Sequence, residues 1–357
     1  MSEPNYLEVS VQGRLGVITL NRASHLNALN LPMIQGIDAQ LKHWEHDDQV
    51  QAILIHSHSA KAFCAGGDIR YLYDSYKAQN QGHEHYFTAE YAMLNRLRHF
   101  PKPVIALMDG YVLGGGFGLA QACHIKISSE KSKFAMPETA IGFFPDVAAT
   151  HFLSRLDAIG VYLALTGAQI SSSDALHLDL IDYHVPQQNL NVLIAQLIQE
   201  TTLSEAIVRH IIGTLITDPV ESELQKYAET IQKHFSYSQV EAIEQSLADE
   251  VDAIDQVWAS ETLKVLQQRP MLAKKASLQL QLLGQNLSLE KSMQLERALQ
   301  NIWFEQGDFI EGVRTLIVDK DKSPQWKTNN TKFEKLLNST IENFLSSSHR
   351  MSVVEQV

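Results

Sequence analysis

The chain has 357 residues, 45% of them hydrophobic, which is enough to bury a sizeable core in one large domain or two and excludes general disorder. Its 29 basic and 41 acidic residues leave a net charge of −12, a field that repels nucleic acid and anionic membranes but tolerates an anionic small ligand held by local donors. The two cysteines, Cys64 and Cys123, form neither a CxxC nor a zinc-like pattern and read as reduced thiols.

At the N-terminus, MSEPNYLEVS has neither the basic-then-apolar order of a secretion signal nor the Arg-rich face of a transit peptide. No apolar run approaches the roughly 18 residues a membrane span needs. A cytoplasmic protein is therefore expected. Leu15–Leu20 and residues 52–56 read as strands, and between them Met33, Ile37, Leu41 and Trp44 recur at helical spacing. Val104–Met108, residues 124–128 and residues 180–185 are further strand candidates. This alternation predicts an α/β fold with mostly parallel strands. From about residue 193 strand signals fade, and helical patterns dominate residues 197–215 and 223–251. The expected organisation is an α/β core over residues 1–200 carrying the active site, a helical portion over 201–340, and a loosely held tail over 341–357.

The chemistry concentrates in residues 103–146. After the strand Val104–Met108 come Gly114, Gly115 and Gly116, then the helix-prone GLAQAC. A strand feeding a glycine turn that opens a helix leaves bare N–H groups for a phosphate, a carboxylate or an oxyanion. A second glycine turn, Gly66 and Gly67, follows the strand at 52–56. Two such turns can each give one backbone donor to a single ester or thioester oxygen, although both also read as ordinary strand exits. Glu138 and Asp146 lie in an apolar stretch with no Lys or Arg between them. Desolvation of Glu138 would raise its pKa and suit it to a base or nucleophile role. The plainer readings are a cap or ion-pair partner for Glu138 and a helix N-cap for Asp146. Glu90 interrupts the apolar helix face Tyr86, Leu94 and Leu97, and a pairing with Arg96 would explain it. Cys64 lacks an activating partner, and His124 and His151 lack metal-ligand spacing, so all three read as structural.

Four segments, KAFCAGGDIR, DGYVLGGGFGLA, FAMPETAIGFFPD and DFIEGVRTLIVDKDKSPQW, together resemble the crotonase (enoyl-CoA hydratase/isomerase) superfamily. Within it the chain is similar to the 3-hydroxyisobutyryl-CoA hydrolases, and the likeness runs from about Gly13 to Trp326. The resemblance implies a spiral of β-β-α units with a helical C-terminal portion. It implies a small-molecule acyl-CoA substrate and no metal or other cofactor, while the acidic balance speaks against nucleic-acid and membrane partners; crotonases often form homo-oligomers, but the helical C-terminus here could replace a neighbour's contacts, so assembly stays open. Gly67 and Gly115 match the positions whose amides hold the thioester oxygen, and Glu138 and Asp146 match catalytic positions. Gly66 and Glu90 fall at the substrate pocket, and Lys320 matches a lysine that reaches CoA in some members; a solvated surface charge is its plainer reading. Hydratases carry a glutamate after the second turn where this chain has Gly118, so hydration by two carboxylates is disfavoured. The implied activity is hydrolysis of 3-hydroxyisobutyryl-CoA in valine degradation, with Glu138 attacking the carbonyl or activating water. A double-bond isomerase and a non-catalytic acyl-CoA- or RNA-binding member are the alternatives.

Overall fold

The computed structural model describes residues 6–217, 221–327 and 331–354. The chain forms two compact units that interleave along the sequence. The first comprises residues up to Leu72, then 81–136 and 169–228; the second comprises 73–80, 137–168 and the residues from Glu229 onward.

Among the described residues, all the strands belong to the first unit. They are β1 (Leu7–Gln12), β2 (Leu15–Leu20), β3 (Ala52–Ser57), β4 (Ala62–Cys64), β5 (Val104–Met108), β6 (Tyr111–Leu113), β7 (Ile125–Ser128), β8 (Lys133–Ala135), β9 (Ile170–Ser171) and β10 (Tyr183–His184). Six form one sheet in the order β1-β2-β3-β5-β7-β10, and four form a second in the order β4-β6-β8-β9. Pairing is parallel except for the β1/β2 hairpin, where Leu7 faces Leu20, and the short β8/β9 pair. Each unit of the spiral places one strand in the large sheet and the next in the small one: β3 then β4, β5 then β6, β7 then β8. The first two pairs lead directly into the helices Ile69–Lys77 and Gly115–Gln121, giving the expected β-β-α units.

The side-chain period of two decides which residues reach which face of the large sheet. Leu15, Val17, Ala52, Leu54, Ile105, Leu107, Ile125 and Ile127 share one core cluster with Leu190, Leu193, Leu197, Val208, Ile211 and Ile212. The last six come from the helices Gln187–Gln199 and Glu205–Gly213, so residues 197–215 form two helices rather than one. Ser204 caps the second by accepting a hydrogen bond from Ile207 N (3.3 Å). The helix Leu31–Glu45 starts at Asn30, whose side chain accepts from Met33 N, and buries the predicted stripe of Met33, Ile37, Leu41 and Trp44. It packs against Gly82–Arg98.

The second unit is helical. Asp157–Thr166 packs against Met271–Gly284, followed by Leu289–Gln306, Phe309–Val313 and Thr331–Val354. Its interior contains an aromatic group in which Phe143 stacks on Phe144 (4.5 Å between centroids) and Phe144 meets Trp303 edge-on (5.0 Å). Of the tail expected at 341–357, residues up to Val354 continue the last helix, and 355–357 lie outside the described residues. Among the described residues, no helix is long and apolar enough to cross a membrane.

Candidate active site

In the first unit the two glycine turns meet. Gly115 opens its helix, with Gly114 as N-cap at φ +48°, a conformation that a side chain would disfavour. A Cβ placed on Gly115 would lie 3.2 Å from Gly67 N and 3.1 Å from Glu90 Oε1. The third glycine serves packing instead, since a Cβ on Gly116 would sit 2.2 Å from Cys64 O and its bareness lets the helix lie on β4. Among the described residues neither Gly67 N nor Gly115 N donates to a protein acceptor. For Gly115 this follows from its place as first residue of the helix. Gly67 is held from behind by Tyr86, whose hydroxyl donates to Leu29 O (2.9 Å). Burial pushes the Tyr86 hydroxyl well above its ordinary value, so it remains a protonated donor. Gly66, at φ +107°, passes 4.0 Å from Gly115 N as measured from an added Cβ. Gly66, Gly67, Glu90 and Gly115 thus form one cluster.

Glu90 lies in that cluster and is only 2% exposed. Arg96 is not its ion-pair partner, since it turns instead to Asp38 (2.7 Å) and Glu45 (3.6 Å). Cys64 is fully buried and its thiol is pushed up to about 12 by burial, which makes it inert core. His124 accepts from Val104 N (3.1 Å) and lies 3.2 Å from Arg98 O, a structural tie between strand and helix end.

In the second unit Glu138 opens a 3-10 turn, Glu138–Ile141, whose backbone closes through Phe143 N to Glu138 O (3.0 Å). Thr139 donates from its side chain to Leu165 O (3.1 Å), and Gly142 ends the turn at φ +71°. Glu138 and Asp146 are 8% and 5% exposed. Asp146 is not a side-chain cap: the following helix, Ala149–Phe152, has Ala148 as N-cap, and Asp146 Oδ2 accepts from Gln300 Nε2 at 2.5 Å.

One face of Leu289–Gln306 holds this whole loop. Glu296, Gln300 and Trp303 recur at i, i+4 and i+7, so they stand in one row. Glu296 accepts from Ala148 N (2.8 Å) and Thr150 N (3.0 Å), Gln300 reaches Asp146, and Trp303 Nε1 donates to Gly142 O (2.8 Å). The Glu296 carboxylate has strain to hold, because Val147 and Ala148 sit at φ 51° and 76°. None of these three residues stands out in the sequence. Their only signal is polar side chains at helical spacing beside Leu295 and Leu299 in LERALQNIW.

The C-terminal motif braces the same loop from another side. A Cβ on Gly312 would meet Ile141 O at 2.2 Å, so Phe309–Val313 can press on the turn that carries Glu138. Asp308 is buried, its carboxyl raised by desolvation, and Oδ1 accepts from Lys327 N (2.9 Å). Arg314 bridges Glu311, Asp319 and Asp321. Lys320 stands between the last two, exposed and at φ 58°.

The model of the enoyl-CoA hydratase/isomerase family matches residues 15–345. The chain belongs to this family. A chicken (Gallus gallus) protein named 3-hydroxyisobutyryl-CoA hydrolase, mitochondrial, is 37% identical over 322 residues, covering 88% of this chain and 83% of the relative. Its human counterpart is 35% identical, covering 88% and 82%. A solved structure titled as an enoyl-CoA hydratase from Rhodobacter sphaeroides superposes with a TM-score of 0.83 at 34% identity, covering 92% of this chain and 94% of that one. The fold expected from the motifs, a crotonase spiral with a helical C-terminal part, is the one observed. The expected cytoplasmic location is overturned: the curated relatives are mitochondrial proteins. That expectation rested on the look of the N-terminal segment and on reduced thiols, and reduced thiols do not distinguish two reducing compartments.

Proposed function

We propose that this crotonase hydrolyses a short 3-hydroxyacyl-CoA thioester, 3-hydroxyisobutyryl-CoA in valine degradation, releasing 3-hydroxyisobutyrate and CoA. The observation that carries the reading is the approach of Gly115 to Gly67 N, 3.2 Å from an added Cβ, with neither glycine's N–H spent on a protein acceptor among the described residues. Two such donors stabilise the charge that develops on a thioester oxygen without adding a titratable group. The names of the relatives supply the acyl group and the metabolic setting, and support a mitochondrial location.

In this reading Glu138, poorly hydrated in its turn, attacks the thioester carbonyl. A C–O bond forms, the C–S bond breaks, and CoA leaves as thiolate and takes a proton from solvent. Water then opens the mixed anhydride, restoring the carboxylate and releasing the acid. Asp146 accepts a hydrogen bond from the 3-hydroxyl and so aligns the acyl chain. Gly66 and Glu90 border the oxygen site, and Lys320 offers its charge to the CoA moiety. No step requires a metal or redox group. Gly118 leaves hydration without a second carboxylate.

Glu138→Gln tests the assignment. The expected result is loss of thiol release by about 10³-fold or more at unchanged thermal stability. Unchanged turnover discards Glu138 as the reacting group. An acyl-CoA consumed without free thiol appearing would instead favour isomerisation.

A further inference from the structure

We infer that the first unit carries a second binding site, between the large sheet and the helix Gln187–Gln199, that takes a linear aliphatic polyamine. A cavity of about 600 Å³ lies there, a volume in the range of small-molecule sites, and no residue of the active-site cluster lines it. Its floor follows from the strand period of two. Val17, Leu54 and Leu107 are on the face that the helix covers, so Thr19, His56 and Asp109, each two residues further on, share that face. β1 extends the row, because Glu8 pairs with Thr19 and Thr19 with His56. β2, β3 and β5 are parallel and end at Leu20, Ser57 and Met108. The polar row therefore stands at the carboxyl ends of the strands, where open parallel sheets bind their ligands. The helix supplies Leu190 and Ile194 as the opposite wall.

The lining selects a cation. Among the described residues it contains two carboxylates, Glu8 and Asp109, and no Lys or Arg, so it repels the phosphates of CoA. Asp109 accepts from Ser129 Oγ through Oδ1, which leaves Oδ2 without a protein donor among the described residues. Glu8 Oε1 accepts from Asn21 Nδ2 (2.7 Å), and Oε2 lies 3.9 Å from His58 Nε2. His56 is 9% exposed, and its ring nitrogens are tied only through Nε2, 2.9 Å from Thr19 Oγ1. An amine N–H in the cavity selects the tautomer in which Nε2 donates to Thr19 and Nδ1 accepts. Burial and the neighbouring His58 lower the His56 pKa to about 4, so the ring is neutral near neutral pH and does not repel the cation. The spacing calls for more than one ammonium. Glu8 and Asp109 lie on the outer strands of the run β1-β2-β3-β5, roughly 14 Å apart at the backbone. Extended spermidine reaches roughly 11 Å between its terminal nitrogens, at about 3.8 Å per three bonds. Charge-assisted N–H···O contacts of about 2.8 Å at its two ends close the difference. Its methylenes then cross Val17 and Leu107, and its inner nitrogen passes His56.

The test is isothermal titration of the full-length protein at fixed ionic strength with spermidine, butylammonium and Mg²⁺ as probes. The expected result is one saturable site for spermidine, at least about tenfold tighter than for butylammonium, which can meet one carboxylate only. Asp109→Asn still offers an oxygen to Ser129 and should weaken spermidine by about tenfold or more, the effect of losing a charge-assisted bond at a half-buried carboxylate. Glu8→Gln, at an exposed strand position, should weaken it by about two- to fivefold, as befits an exposed pair. The nitrogen resonance of His56 Nδ1, assigned by its loss in His56→Asn, should move on titration. No saturable heat at millimolar spermidine, or a His56 resonance that stays in place, overturns the inference. Mg²⁺ bound with the same dependence on Asp109 and Glu8 also overturns it, because that is the counterion response of a chain with net charge −12. Weakening by only one of the two variants, or equal affinity for butylammonium, overturns a ligand that spans the row. Should Asp109→Asn fail to fold, Glu8→Gln and the His56 resonance decide.

Discussion

Adding a single methyl group at Gly115 tests the oxygen site directly. A Cβ there lies 3.2 Å from Gly67 N, within the 2.7–3.2 Å at which an N–H group holds an oxygen. The methyl would thus occupy the position of a thioester oxygen bonded to Gly67. It would also touch Glu90 Oε1 at 3.1 Å, which a shift of a few tenths of an ångström relieves. Gly115 is the first residue of its helix, where alanine is the better helix former by up to ~1 kcal/mol. The two terms nearly cancel, so Gly115→Ala is expected to fold with a melting temperature within about 2–4 °C of wild type. Activity should fall by about 10²–10³-fold in kcat/KM, or roughly 3–4 kcal/mol, the effect of losing an oxyanion donor. The neighbouring glycine is the control: Gly116→Ala drives a Cβ to 2.2 Å from Cys64 O and should destabilise by several kcal/mol. Thiol release with a chromogenic disulfide reports activity, and Cys64 and Cys123, both buried with thiols pushed up to about 12, stay silent in the native protein. Gly115→Ala that folds normally and keeps kcat/KM within about threefold would refute the reasoning, because the oxygen would then bind elsewhere.

Two further predictions concern stability. His56 is buried at the end of β3, Nε2 lying 2.9 Å from Thr19 Oγ1; burial and the neighbouring His58 lower its pKa from 6.5 to about 4. The unfolded chain takes up this proton first as the pH falls, so stability is complete above about pH 6.5 and is lost progressively toward pH 4. The full effect is about 3 kcal/mol, and urea midpoints measured across that range should flatten in His56→Asn; an unchanged slope would assign the acid sensitivity to other groups. Gly142→Ala places a Cβ 2.7 Å from the backbone and Cβ of Asp308 at a φ of +71°, and should lower the unfolding free energy by about 2–4 kcal/mol in urea titration. A loss under about 0.5 kcal/mol would show that the turn carrying Glu138 yields more readily than its packing implies.

What could be read from the sequence divides by the distance over which each feature is determined. The strand, glycine turn and helix that expose Gly115 lie within eighteen consecutive residues, 104–121, and each step has a local cause: an apolar run, missing side chains, then helix formers. Glu138 and Asp146 are legible for the same reason, as charges within a short apolar window. The small sheet is not, because β4, β6, β8 and β9 have only two or three residues each, too few for a period of two to register. The hairpin strand β1 is equally hidden, since its outer face is polar and its residues are largely exposed. Nor does a chain that leaves one unit and re-enters it twice mark those crossings by any change in composition.

The supports of Asp146 show the limit most plainly. Gln300 lies 154 residues further along the chain, and nothing near Asp146 calls for it. From sequence, Glu296, Arg297 and Gln300 resemble the solvated side of an amphipathic helix, the usual place for such residues. Yet Glu296 is fully buried and Gln300 is 1% exposed. Burying an amide or a carboxylate is unfavourable unless its bonds are met, so a buried polar row on a helix requires a fixed set of partners opposite it. Here those partners are the amides of a loop held at two left-handed residues and a carboxylate in its midst. Helix and loop therefore need each other.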